Sequence, residues 1–168
     1  MRPHINLQDL HNENLSWLCI EPMLMSVRGK SLNHKSDVYN QLNEGQRGLF
    51  LFYAFHNHAK SIAEFYWFAG YFVSDLKVWK GLKEGISFFK DKEMVELLEH
   101  LETIIQSMSQ DANGIRRVVT PSDLEKDINL FDSLSNIFTK YQVLAPITIQ
   151  TMNTHIKGHK EDFFHLID

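Results

Sequence analysis

The residues predict an all-α fold, one compact bundle of about six to eight helices over residues 1–168, and three observations carry that expectation. Apolar side chains recur at three- and four-residue spacing along most of the chain. Short polar capping residues stand where several of those runs begin, and no segment alternates apolar with polar residues as a half-buried strand would. The length suits a single domain, and neither a Pro-, Gly- or Ser-rich linker nor an internal repeat divides it.

The first thirty residues carry Trp17, Leu18, Ile20, Leu24 and Val27 at helical spacing, with Pro22 in their midst. A helix there either starts late or kinks, because proline removes a hydrogen bond and crowds the preceding turn. Asn43 with Gln46, and Ser61 with Glu64, are capping pairs in which a short side chain meets a free amide and the residue three on reaches back. They predict helices at about 43 to 59 and 61 to 74, followed by another at 76 to 89. Asp91 caps the clearest helix, where Met94, Val95, Leu97, Leu98, Leu101, Ile104, Ile105 and Met108 form one stripe. Glu93, Glu96, Glu99 and Glu102 fall on its other face, so Met94, Leu98, Leu101 and Ile105 are expected in the core. Asn113 and Gly114 end that helix, and residues 112 to 120 form the longest loop. Thr120 and Pro121 then signal a start, with Leu124, Ile128, Phe131, Leu134 and Phe138 on one face. Pro146 suits the start of a last helix bearing Ile149, Met152 and Ile156, and Gly158 weakens its final turn.

Composition narrows the function. With 43% apolar and 23% charged residues the chain lies within the globular range and far from disorder. A formal net charge of −4 and a pI near 6.1 leave no basic field for a phosphate backbone, so direct nucleic-acid binding is not expected. Cys19 is the only cysteine, which rules out an internal disulfide or a cysteine metal cluster and fits a reducing, cytoplasmic setting. Met1 to Leu10 has no signal-peptide core. The most apolar stretch, Phe65 to Ser74, is far short of the ~20 residues a spanning helix needs, so no membrane segment is expected.

Two groups of residues are candidate sites. Phe65, Tyr66, Trp67 and Phe68 are four consecutive rings, and a helix turning ~100° per residue cannot bury all four on one face. At least one should meet a subunit interface or an open pocket, although aromatic side chains mostly fill cores. The second group is histidine. His155 and His159 stand one turn apart, as two imidazoles sharing a metal would, and His56 or His58 could supply a third ligand. This arrangement is similar to the three-histidine site of DinB/YfiT-type helical bundles. Gly158 lies between the pair and no carboxylate is placed as in His-Glu-x-x-His, so solvated or helix-capping histidines are the expectation, with no bound metal or other cofactor.

The remaining chemistry-bearing residues have ordinary readings. Glu64 is explained by its capping position, and Cys19 as a buried structural thiol. Gly45 and Gly48 follow no strand and build no phosphate loop, and no serine-triad spacing is present.

The order of helices resembles that of the DNA-mimic-protein-like helical family, largely of unknown function. The stretches that carry the resemblance are Leu42 to Arg47, Ile86 to Leu101, and His155 to Phe164. Where that family has an Asn-Asn-Gly-Gly-Phe-like turn, this chain reads His56-Asn57-His58-Ala59-Lys60-Ser61, so none of the family's motif residues is carried over. The DNA-mimicking members act through a strongly acidic surface, which a net charge of −4 does not provide. The leading expectation is a non-enzymatic interaction or regulatory protein that binds a protein partner or itself. A histidine-metal helical enzyme is the alternative, and a helical pocket for a small apolar ligand is the third.

Overall fold

The computed structural model describes residues 1–110 and 117–167, and the expected turn residues Asn113 and Gly114 lie outside them. Among the described residues the chain is an all-α bundle with nine α-helices: α1 (Leu15–Val27), α2 (Leu32–Asn40), α3 (Glu44–His56), α4 (Ile62–Gly70), α5 (Trp79–Phe88), α6 (Lys92–Met108), α7 (Ser122–Lys126), α8 (Ile128–Gly158) and α9 (Lys160–Phe163). Seven of these have nine residues or more, within the expected six to eight, and α7 and α9 are single turns. No helix among the described residues is long and apolar enough to cross a membrane.

Capping chemistry sets the starts that were read from the sequence. The Asn43 carboxamide accepts from the Gln46 amide at 2.8 Å while Gln46 Oε1 accepts from the Asn43 amide at 3.2 Å, which opens α3. Ser61 Oγ accepts from the Glu64 amide at 3.2 Å and opens α4. Asp91 Oδ1 accepts from the Met94 amide at 3.1 Å, and Met94, Leu98, Leu101 and Ile105 of α6 are all buried as expected.

Three expectations are corrected. Pro146 does not start a helix, for α8 runs unbroken through it for 31 residues. Gln142 and Pro146 are both exposed, so water can satisfy the Gln142 carbonyl that loses its partner to the proline ring. The single face read from Leu124 to Phe138 is broken at Asp127, whose extended backbone ends α7 and whose carboxylate accepts from the Asn129 and Leu130 amides to start α8. The restart changes the register, so Leu124, Leu134 and Phe138 are buried whereas Ile128 and Phe131 are exposed. Strands were not expected, yet His4–Asn6 (β1) pairs in parallel with His165–Ile167 (β2), His4 opposite His165. Three residues are too few to show alternation. Pro22 stands inside α1, which continues on both sides of it.

Two unforeseen features shape the bundle. After Gly70 the chain makes a π-helical turn, Tyr71–Asp75, and Lys77 then takes a left-handed backbone (φ 55°) that ends it before α5. Helices α3 and α5 also cross at glycines, where a Cβ on Gly85 would lie 2.4 Å from the Gly48 Cα. That close approach is the structural reason for glycine there.

The core is one cluster of buried side chains drawn from α1 to α9. Its aromatic centre is Phe55, whose ring lies within 5.4 to 5.9 Å of Phe65, Phe72, Trp79 and Tyr141. Rings meeting edge-on or tilted at such distances add attraction beyond their buried area.

Candidate functional site

An open groove of about 910 Å³ is walled by four helical faces. Helix α3 turns Phe50, Leu51 and Ala54 into it and its C-cap Asn57 continues the face, a run of about 10 Å at ~1.5 Å per residue. Helix α1 contributes Leu24 and Trp17, and Arg28, which follows its last residue, adds a third side chain. Leu32, Lys35, Ser36 and Tyr39 come from α2 at i, i+3, i+4 and i+7. The end of α4 and the π turn supply Phe68, Tyr71, Phe72 and Asp75 with the same periodicity. The site is therefore built from ordinary amphipathic stripes that face a space instead of a neighbour.

Its floor is closed by buried rings, Phe50 and Phe72, and its lip carries Met25 and Leu32, which are 52% and 56% exposed. The ionised groups on its walls are Arg28, Lys35 and Asp75, and none of the three is in an ion pair among the described residues.

The four consecutive rings divide between core, surface and groove. Phe65 and Tyr66 are fully enclosed, Trp67 is exposed and stacks on Tyr71 with centroids 6.1 Å apart, and Phe68 lines the groove against His58 at 4.1 Å. Tyr66 donates to Asp123 Oδ2 at 3.0 Å, and the same carboxylate accepts from Arg117 and from the Thr120 amide. Burial alone would raise the Asp123 carboxyl, but these three donors outweigh it and hold it below its ordinary value. The network fastens the segment leading into α7 onto α4.

His56 and His58 have different surroundings, and His155 and His159 stand together. His56 stacks on Phe52 and its Nδ1 lies 2.9 Å from the Tyr141 hydroxyl, and burial, with Lys60 nearby, lowers its pKa to about 4. His58 is exposed at the groove end. His155 and His159 stack on each other 4.2 Å apart, and His155 packs against Phe88, Phe89 and Phe163. His159 Nδ1 lies 2.9 Å from the His155 carbonyl, as for a histidine satisfying a free carbonyl at a helix end. Among the described residues no three His, Cys, Asp or Glu side chains are grouped to hold a metal.

Other buried polar groups join helices. Ser16 Oγ and Tyr53 Oη are 2.7 Å apart, and Asn153 accepts from the Ser16 amide while donating to the Glu13 carbonyl, tying α1 to α3 and α8. Thr148 donates to Asp91 Oδ2 at 2.6 Å, so one carboxylate both caps α6 and anchors α8. Glu64 is exposed at the start of α4. Cys19 is fully buried and its thiol is pushed up to about 12 by burial, the behaviour of an unreactive core thiol.

Helix α2 and the π turn, which supply a third of the groove's lining residues, were not read from the sequence. For α2 a signal existed: Ser31 Oγ accepts from the His34 amide, and Leu32 and Tyr39 stand two turns apart.

The fold and the groove together define an all-helical bundle with an open apolar cleft. No family model matches the chain, and no curated protein or solved structure matches it either.

Proposed function

We propose that the chain is a non-enzymatic binding protein whose groove takes an elongated, mostly apolar small molecule. The observation that carries this reading is the cavity of about 910 Å³ lined by stripes from α1, α2, α3 and the π turn. That volume falls within the roughly 300 to 1,000 Å³ of small-molecule sites, which likewise combine apolar walls with a few polar groups. Among the three expectations drawn from the sequence this is the apolar-ligand one. It differs from the leading protein-interaction reading because the apolar faces converge on a cleft.

The test uses the neutral apolar dye N-phenylnaphthylamine on tag-free protein. Saturable uptake near one dye per chain, clearly weakened in Ala54→Trp, is expected, because Ala54 faces the groove and an indole there would take up space beside the dye. Uptake that is absent, or that Ala54→Trp leaves unchanged, refutes the reading. Circular dichroism and thermal melting of the variant establish that it is folded.

Self-association is a second reading, supported by Trp67, which is 43% exposed and stacked on Tyr71. Tryptophan is enriched at the energetic centres of interfaces. Sedimentation of the wild type and Trp67→Ala tests it: a dimer lost in the variant supports this reading, and a monomer in both ends it.

A further inference from the structure

We propose that the groove's ligand is a monoanionic amphiphile, a long-chain carboxylic acid, with its tail on the aromatic floor and its carboxylate at Arg28 and Lys35. This rests on the binding reading above and names the ligand class for the same site. The two cations reach one cavity from neighbouring helices, Arg28 at the end of α1 and Lys35 in the second turn of α2. The turn between them includes Gly29, whose left-handed backbone (φ 71°) lets the chain reverse from α1 into α2. Neither cation is in an ion pair among the described residues, so each is available to a ligand.

The charge count selects the head group. Arg28 and Lys35 against Asp75 leave one net positive charge on the groove walls at neutral pH. A single carboxylate balances it, whereas a phosphate monoester brings close to two negative charges and would meet Asp75 uncompensated. The guanidinium also offers a planar pair of donors that a carboxylate accepts two at a time. The rest of the lining suits an alkyl tail, since Leu24, Leu51, Ala54, Phe50 and Phe72 present no charge. Each buried methylene should raise affinity about fourfold.

The experiment measures displacement of N-phenylnaphthylamine from delipidated, tag-free protein by dodecanoic acid, dodecanol and dodecyl phosphate. In the wild type the acid should bind about tenfold or more tighter than the alcohol, the gain expected of a charge-assisted contact. Substituting both cations, Arg28→Gln with Lys35→Gln, should bring acid and alcohol to equal affinity, and high salt should narrow the wild-type gap. Both positions are at the surface or half-buried, so the fold should survive, and dye uptake by the double variant verifies the groove itself. Equal binding of acid and alcohol by the wild type overturns the anionic assignment while leaving the apolar groove standing. Tighter binding of dodecyl phosphate than of the acid overturns the carboxylate. If the dye binds and no alkyl compound displaces it, the carboxylic acid assignment fails, and if the dye itself does not bind, the groove reading fails with it.

Discussion

Two aromatic regions share α4 and the π turn and end in opposite states. On one side Phe55, Phe65 and Phe72 close onto Trp79 and Tyr141 with almost no exposed surface. On the other, Phe68, Tyr71, Trp17 and Tyr39 are only half-buried and border the groove. The residue types are the same, so composition does not separate them. What separates them is the element opposite. Helix α8 sends Phe138 and Tyr141 into the first region, whereas α2 turns Lys35 and Ser36 toward the second. A ring covered by a packed helix becomes core, and a ring bordering the gap becomes a wall even where it stacks on a neighbour, as Phe68 does on His58.

Phe55→Ala should therefore have the largest effect. Deleting a fully enclosed ring forfeits its transfer energy and leaves a cavity, at a cost of about 3 to 5 kcal/mol. Phe68→Ala should cost clearly less, since the half-buried Phe68 already borders open space. Urea denaturation of both variants checks this, and equal losses would erase the distinction between the two regions.

The closed region also predicts a pH response. His56 sits at its edge beside Tyr141, and burial with the nearby Lys60 lowers its pKa to about 4 from an ordinary histidine value of about 6.5. The unfolded chain then binds the proton more readily, so this contribution is complete above about 6.5 and is lost as pH falls through 4. His155, lowered by burial and by His159, acts in the same direction. Between pH 6.5 and 4 stability should drop, with His56 contributing on the order of 1 to 2 kcal/mol because its ring keeps some solvent contact. His56→Gln should flatten the slope, as read from denaturation midpoints across that range. An unchanged slope would place the ring in a wetter site than its neighbours imply.

What could be read in the residues divides along the same line. The starts of α3, α4 and α6 were legible because a cap acts within four residues, and the stripe of α6 because its opposite face is acidic. Continuity of α8 across Pro146 was not, since it depends on an exposed Gln142 carbonyl that the local pattern does not reveal. The break at Asp127 was hidden by apolar residues continuing at helical spacing past it. Among the candidate site residues, the four adjacent rings lie in different surroundings, Phe65 and Tyr66 in the core, Trp67 at the surface and Phe68 on the groove wall. The groove itself was invisible. Phe50, Leu51 and Ala54 make the same stripe whether a helix or a cavity lies opposite, and only the tertiary arrangement of residues 17 to 78 decides which.

The smallest expected stability effect is at the groove lip. Met25 and Leu32 are 52% and 56% exposed, so replacing both with glutamine, which suits helices, removes little buried area. Each change should stay within about 0.5 kcal/mol, the level of an ordinary surface substitution. If the groove holds an apolar ligand, the same pair should nevertheless weaken dye uptake several-fold, because the lip loses contacts that form only when the cleft is filled. Stability and binding would then move independently at the lip, whereas Phe55→Ala would lower both together. A loss of several kcal/mol in Met25→Gln with Leu32→Gln would show that these side chains hold α1 and α2 together as core. The half-open aromatic region would then be a second closed one, and the contrast on which the binding reading depends would fall.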